Sequence, residues 1–164
     1  MKKIFSELKG FVIYNPELLS KYLQENNLQG NDILQYFVET EHGDVITASG
    51  IAIPIVGVIE DYYAFNLSVN KESVLNDDEA TVLSEGWVFQ STCNQLKVVG
   101  IGYLKDISLI NDDNCTTLTL DNGWYSMNIL TGFKDGQRLF DLNMQQKDHQ
   151  PEFYGDVTTE YYYH

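Results

Sequence analysis

Thr117-Leu118-Thr119-Leu120-Asp121-Asn122-Gly123-Trp124-Tyr125-Ser126-Met127-Asn128-Ile129 sets an Asn-Gly pair between two runs of β-branched, aromatic and aliphatic residues. Tyr125, Met127 and Ile129 alternate with Ser126 and Asn128, the two-residue period of a strand with one buried and one wet face. Asn-Gly tolerates the positive φ angles of a tight reversal, so this stretch predicts a β-hairpin turning at Asp121-Asn122-Gly123. Downstream, Phe140, Leu142 and Met144 alternate with Asp141 and Asn143 in the same way, and Lys134-Asp135-Gly136 is the turn that joins the pair. Upstream, Gly86-Trp87-Val88-Phe89-Gln90-Ser91 and Leu96-Lys97-Val98-Val99-Gly100-Ile101 read as strands linked through Asn94-Gln95. From Val45 onward no amphipathic helix interrupts this pattern. Seven or eight strands at such spacing predict a mainly β fold: an antiparallel β-sandwich or partly closed barrel carrying one or two N-terminal helices, α+β in class.

The helical part lies over residues 15–27. Asn15 can cap, Pro16 suits the first turn, Glu17 favours the positive end of the dipole, and Leu18, Leu19, Tyr22 and Leu23 form one apolar stripe. A second helix could begin at Asn31-Asp32. Tyr36, Phe37, Val38 and Thr40 instead favour a strand, turning at Glu41-His42-Gly43-Asp44 into Val45-Ile46-Thr47.

A length of 164 residues, with three prolines, no repeat and no linker, predicts a single domain over 1–164. Hydrophobic residues at 43% and aromatics at 13% supply enough buriable surface to exclude a disordered chain. The formal net charge is -14, from 24 acids against 10 bases, so the molecule repels phosphate backbones and anionic membranes. Direct nucleic-acid binding is excluded on that ground. The basic pair Lys2-Lys3 is not followed by an apolar run, and the longest apolar stretch, residues 50–59, falls far short of the ~20 residues a membrane span needs. The expectation is a cytoplasmic protein with no membrane attachment. Cys93 and Cys115 lack the spacing of a metal or redox pair and are expected to stay reduced.

No Gly-x-Ser-x-Gly, His-Glu-x-x-His or phosphate-binding glycine loop occurs, and Gly100-Ile101-Gly102 falls inside a strand pattern. His42 reads as a turn residue, and His149 and His164 as solvated. Asp77-Asp78-Glu79 and Asp112-Asp113 lack the alternating ligands and central glycine of a calcium loop. The expectation is therefore no catalytic residue, no cofactor and no metal. Two further readings stay open. One is a β-sandwich carbohydrate-binding or glycan-processing domain that uses Glu60, Asp61, Trp87 and Trp124, although both tryptophans follow a glycine and read more simply as core plugs. The other is an intracellular scaffold subunit.

Charge placement says more than the total. Residues 72–85, 106–121 and 148–164 hold five, four and four carboxylates and no Lys or Arg, whereas the rest of the chain is nearly neutral. Like charges placed together repel, a cost that a cationic partner would offset. The segment 148–164 also mixes carboxylates with four tyrosines and a phenylalanine, and tyrosine is a favoured interface anchor. The same segment also reads as one more strand with Tyr161 and Tyr163 packed inward, or as a frayed tail, and the strand reading is compatible with an interface if the strand lies at an edge. The residues expected to meet a partner are Asp77, Asp78, Glu79, Asp112, Asp113, Glu152, Tyr154, Asp156, Glu160, Tyr161, Tyr162 and Tyr163.

With these acidic loops, the Asp121-Asn122-Gly123-Trp124-Tyr125 hairpin and the Tyr-rich acidic end, the chain resembles the small acidic immunity proteins of contact-dependent inhibition and other polymorphic bacterial toxin systems. A nuclease inhibitor of the competence type is a near variant. The resemblance implies a non-enzymatic, cytosolic protein that neutralises a basic toxin domain, commonly a nuclease.

Overall fold

The computed structural model describes residues 1–161. The described chain runs through β1 (Lys3–Phe5), β2 (Phe11–Tyr14), α1 (Pro16–Glu25), α2 (Leu34–Val38), α3 (His42–Ala48), β3 (Ala52–Val58), β4 (Tyr62–Val69), β5 (Ala80–Ser91), β6 (Gln95–Gly100), β7 (Cys115–Thr119), β8 (Gly123–Lys134), β9 (Gln137–Lys147) and β10 (Glu160–Tyr161). The strands form two five-stranded sheets, in the orders β1-β4-β9-β8-β5 and β10-β3-β2-β6-β7. Their inner faces pack into one core. Tyr125, Met127, Ile129, Phe140, Leu142 and Met144 from the first sheet meet Phe11, Ile13, Ile53, Ile55, Leu96 and Val98 from the second. Phe65 stacks on Phe140 with centroids 5.0 Å apart, and Phe11 meets Phe65 edge-on at 4.9 Å. This is the expected mainly β sandwich with N-terminal helices, and it does not close into a barrel. Pairing is mostly antiparallel, but β4–β9 and β10–β3 run parallel.

Lys134↔Gln137 closes the β8–β9 hairpin, where Asp135 (φ 52) and Gly136 (φ 76) both adopt the left-handed angles of a two-residue turn. The Asn122-Gly123 turn behaves differently and corrects the expected hairpin. β7 pairs with β6, whereas β8 pairs with β5 and β9, so residues 120–122 carry the chain from one sheet to the other. Only Gly123 has a positive φ there, and Leu120 turns into the core. An Asn-Gly pair permits a reversal without choosing which strand lies beside the next one. The 92–94 link crosses between the sheets as well. Leu120 N–H donates to Asn94 O at 3.2 Å, and Asn94 N–H donates to Asn122 Oδ1 at 2.8 Å, locking the two crossings together.

Helix α1 forms as expected. The Asn15 side-chain oxygen accepts from Glu17 N–H (3.0 Å) and Leu18 N–H (3.1 Å), and Asn26 N–H closes the last turn on Tyr22 O. The expected strand over 33–47 is replaced by α2 and α3. Ile33, Leu34 and Ile46 join α1's Leu19 against Val12, Tyr14 and Val99 on the outer face of the second sheet. That face is apolar and needs a cover, so burial overrides β-propensity. Gly43 lets α3 lie close against α2: a Cβ there would sit 2.3 Å from Phe37 O.

The outer face of the first sheet carries a second correction. Asp141, expected in solvent, is wholly buried under residues 70–79. Its carboxylate accepts from Asn66 Nδ2 (2.9 Å), Ser68 Oγ (2.9 Å), Ser73 Oγ (2.5 Å) and Val74 N–H (3.0 Å).

Candidate functional site

After β9 the chain returns along the flank of the sandwich where β5 and β3 lie. Gly86 sits in a bulge of β5 at φ +89, and its carbonyl accepts from Tyr154 N–H at 3.0 Å. A Cβ on Gly86 would stand 2.5 Å from the Tyr154 ring, so glycine allows the two backbones to touch. Phe153 packs edge-on against Trp87 at 6.0 Å, and Gly155 lies against the same indole. Glu160 and Tyr161 then add β10 beside Val56 and Val58, where Gly57 (φ +65) makes room for the Glu160 side chain. Tyr161 is buried beneath this strap, 5.7 Å from Phe140, and burial pushes its hydroxyl from 10.0 up to about 12.

Docking the strap leaves one set of side chains outside. Tyr154 is 69% exposed, and Glu152, Asp156 and Glu160 are exposed with it. Asp156 accepts from Thr158 N–H (2.9 Å) and Oγ (2.6 Å), and the hydroxyl bond above all holds its carboxyl below the usual range. Glu85 and Leu83 of edge strand β5 are exposed on the same flank. Asp77 and Asp78, just before β5, ride on a turn in which Asn76 Oδ1 accepts from Asp78 and Glu79 N–H, both at 3.0 Å. Glu79 returns a bond to Asn76 N–H, and its carboxylate pairs with Lys134 at 3.2 Å, so part of its charge is already answered within the chain.

Glu152, Tyr154, Asp156 and Glu160 are thus exposed along the strap beside β5 and β3, and Asp77 and Asp78 are exposed on the turn that precedes β5. Asp112 and Asp113 are exposed on the opposite side, beside Lys2, Lys3 and Tyr62, at the end of the first sheet occupied by β1. Four strand spacings, roughly 19 Å, separate β1 from β5. Tyr161 serves the core and is not a surface anchor. Tyr162 and Tyr163 lie outside the described residues. Sequence reasoning missed Leu83, because a leucine in a strand pattern reads as core, and only the edge position of β5 exposes it.

The residues of the glycan reading part company. Trp87 is 1% exposed, with Nε1 donating to Ser84 Oγ at 2.9 Å, as expected of a core plug. The Asp61 carboxylate accepts from Tyr62 N–H (2.7 Å) and Arg138 Nε (2.8 Å), which hold it below its usual range as a structural ion pair. Cys93 and Cys115 are both free thiols. Among the described residues no helix is long and apolar enough to cross a membrane, and no three His, Cys, Asp or Glu side chains gather as a metal-binding group.

No family model matches the chain, and no curated protein matches it. Among solved structures it is similar to ComJ from Bacillus subtilis, described as an inhibitor of the DNA-degrading activity of NucA. The match covers 89% of this chain and 94% of that one, at 10% identity and a TM-score of 0.51. At that identity the likeness is one of fold.

Proposed function

We propose that this chain is a non-enzymatic inhibitor that captures a basic toxin or nuclease domain with its β5 flank. The observation that carries the reading is the strap over residues 148–161. Phe153, Gly155 and Tyr161 hold it to the body, while Tyr154 and three carboxylates face outward beside the stretch of edge strand β5 that carries Glu85. Such a surface is preorganised, so little ordering entropy remains to be lost on binding. Its exposed apolar groups, Leu83, Tyr154 and Val157, can be buried while the surrounding carboxylates take Arg and Lys. The fold shared with an inhibitor of a DNA-degrading enzyme supports the same role and favours a nuclease as the partner class. Asp112 and Asp113 lie at the opposite edge of the first sheet, and we assign them to long-range steering.

The test is capture of the basic domain encoded in the neighbouring reading frame, followed by stopped-flow mixing. The expected result is a stoichiometric complex that suppresses the domain's activity, with an association rate that falls about tenfold or more as salt is raised. Reversing Asp77 and Asp78 to Lys should slow association by about tenfold, and Tyr154→Ala should speed dissociation by a similar factor. A charge-reversed variant that associates as fast as the native chain overturns the assignment of the face. Failure to bind the domain at all overturns the inhibitor reading.

A further inference from the structure

On the outer face of the second sheet, away from the β5 flank, a groove of about 330 Å³ opens between α1 and the 3-10 turns that follow β6. Its walls are apolar: Leu19 and Leu23 from α1, and Leu104, Ile107 and Ile110 opposite. Lys97 supplies the one charged side chain in the lining. In register, Lys97 lies between Tyr14 of β2 and Thr117 of β7, and all three belong to the face turned toward the helices. The Tyr14 hydroxyl is hydrogen-bonded to the Cys115 thiol, so the Lys97 ammonium and the Thr117 hydroxyl are the polar pair left on neighbouring strands, within the reach of directly opposed residues.

Lys97 differs from the other lysines without an ion pair or side-chain hydrogen bond among the described residues, Lys3, Lys9, Lys71, Lys105 and Lys147, in being half-buried where they are exposed. The described ion pairs take up Lys21, Lys134 and Arg138, and Lys2 donates to the carbonyls of Asp112 and Cys115. Lys97 is half-buried with no hydrogen bond or ion pair to any described residue, although the chain carries 24 acids. An unanswered cation at the mouth of an apolar groove of ligand size asks for an anion with an apolar body.

We propose that this groove binds a small amphipathic monocarboxylate. Its head group accepts from Lys97 Nζ with the Thr117 hydroxyl beside it, and its apolar body lies between Leu19 and Leu23 on one side and Leu104 and Ile107 on the other. The site shares no residue with the strap, so its fate and that of the inhibitor reading are independent.

The experiment titrates the full chain with octanoate, octanol and octylammonium, read by methyl and amide NMR shifts and by calorimetry. Octanoate should bind saturably with shifts centred on Leu19, Leu23, Leu104 and Ile107, at least tenfold more tightly than octanol, and octylammonium should not bind. Lys97→Ala should erase the preference for octanoate over octanol, and Lys97→Glu should transfer it to octylammonium. Leu23→Trp, which fills the groove from its half-buried rim, should abolish binding of all three probes. Equal affinity for octanoate and octanol, binding indifferent to Lys97→Ala, or no saturable binding at millimolar octanoate would each overturn the proposal.

Discussion

Asp141→Asn is the substitution that tests most directly how the outer face of the first sheet is held. The two side chains are nearly isosteric, so no cavity opens, and the effect comes from losing the charge and exchanging an acceptor for a donor. In the native protein Asn66, Ser68, Ser73 and the Val74 N–H all donate to this buried carboxylate, and the last two contacts converge on one oxygen, Oδ2. An amide nitrogen at that oxygen's place faces the Val74 N–H, donor against donor. The Ser73 hydroxyl can rotate and accept, but Val74 N–H is left buried without a partner. Losing one charge-assisted bond and stranding one amide costs about 3 kcal/mol. For a chain of 164 residues that lowers Tm by about 6 to 12 °C. Calorimetry gives the shift, and hydrogen exchange localises it: amides over 73–79 should open faster, while those of β2 and β6 keep their protection. Loosening this loop also loosens the carrier of Asp77 and Asp78, so the same variant should capture its partner more slowly. A change below about 0.5 kcal/mol, or unchanged exchange over 73–79, would show that the carboxylate does not pin the loop.

Gly86→Ala puts a Cβ 2.5 Å from the Tyr154 ring at a left-handed φ; it should cost about 2 kcal/mol or more and expose residues 148–161 to proteolysis before the sheets unfold. Asn15→Ala removes the cap of α1 together with side-chain bonds to Gln90 O and Thr92 Oγ1 at a fully buried site; chemical denaturation should show a loss of about 2 to 3 kcal/mol. Tyr161 titrates near 12 in the folded chain against 10.0 unfolded, so the unfolded state sheds its proton first and the stability from burying the neutral ring drains away as pH rises through 10 to 12. Tyr161→Phe should therefore flatten the alkaline arm of the Tm-versus-pH curve, and an unchanged arm would count against burial as the cause. Asp61 is shifted the other way, below its usual 3.8, by Tyr62 N–H and Arg138. The gap in Tm between Asp61→Asn and native should be open at neutral pH and close as acid protonates the folded carboxyl, and a gap independent of pH would refute the ion pair.

Strand content, the capped α1, the β8–β9 reversal and the acidity of three segments were legible in the sequence, because each follows from interactions within a few residues: a two-residue period, Asn15 before Pro16, Asp-Gly at a turn, a local count of carboxylates. The Asn122-Gly123 turn shows where that reach ends. Its local chemistry suits a hairpin, yet the strands on either side belong to different sheets, because burying Leu120 and pairing β7 with β6 are decided by residues far along the chain. The same holds for residues 33–47, which are strand-like in composition and helical in place because an apolar sheet face needed covering. Asp141 alternates like a surface residue, and only the return of residues 70–79 over β9 encloses it. The acidic segments were counted from the sequence, but which of them share a flank depends on how the strands are ordered in the two sheets. A sequence records what each residue brings to its neighbours in the chain, whereas long-range burial and strand pairing determine which residues become neighbours in space.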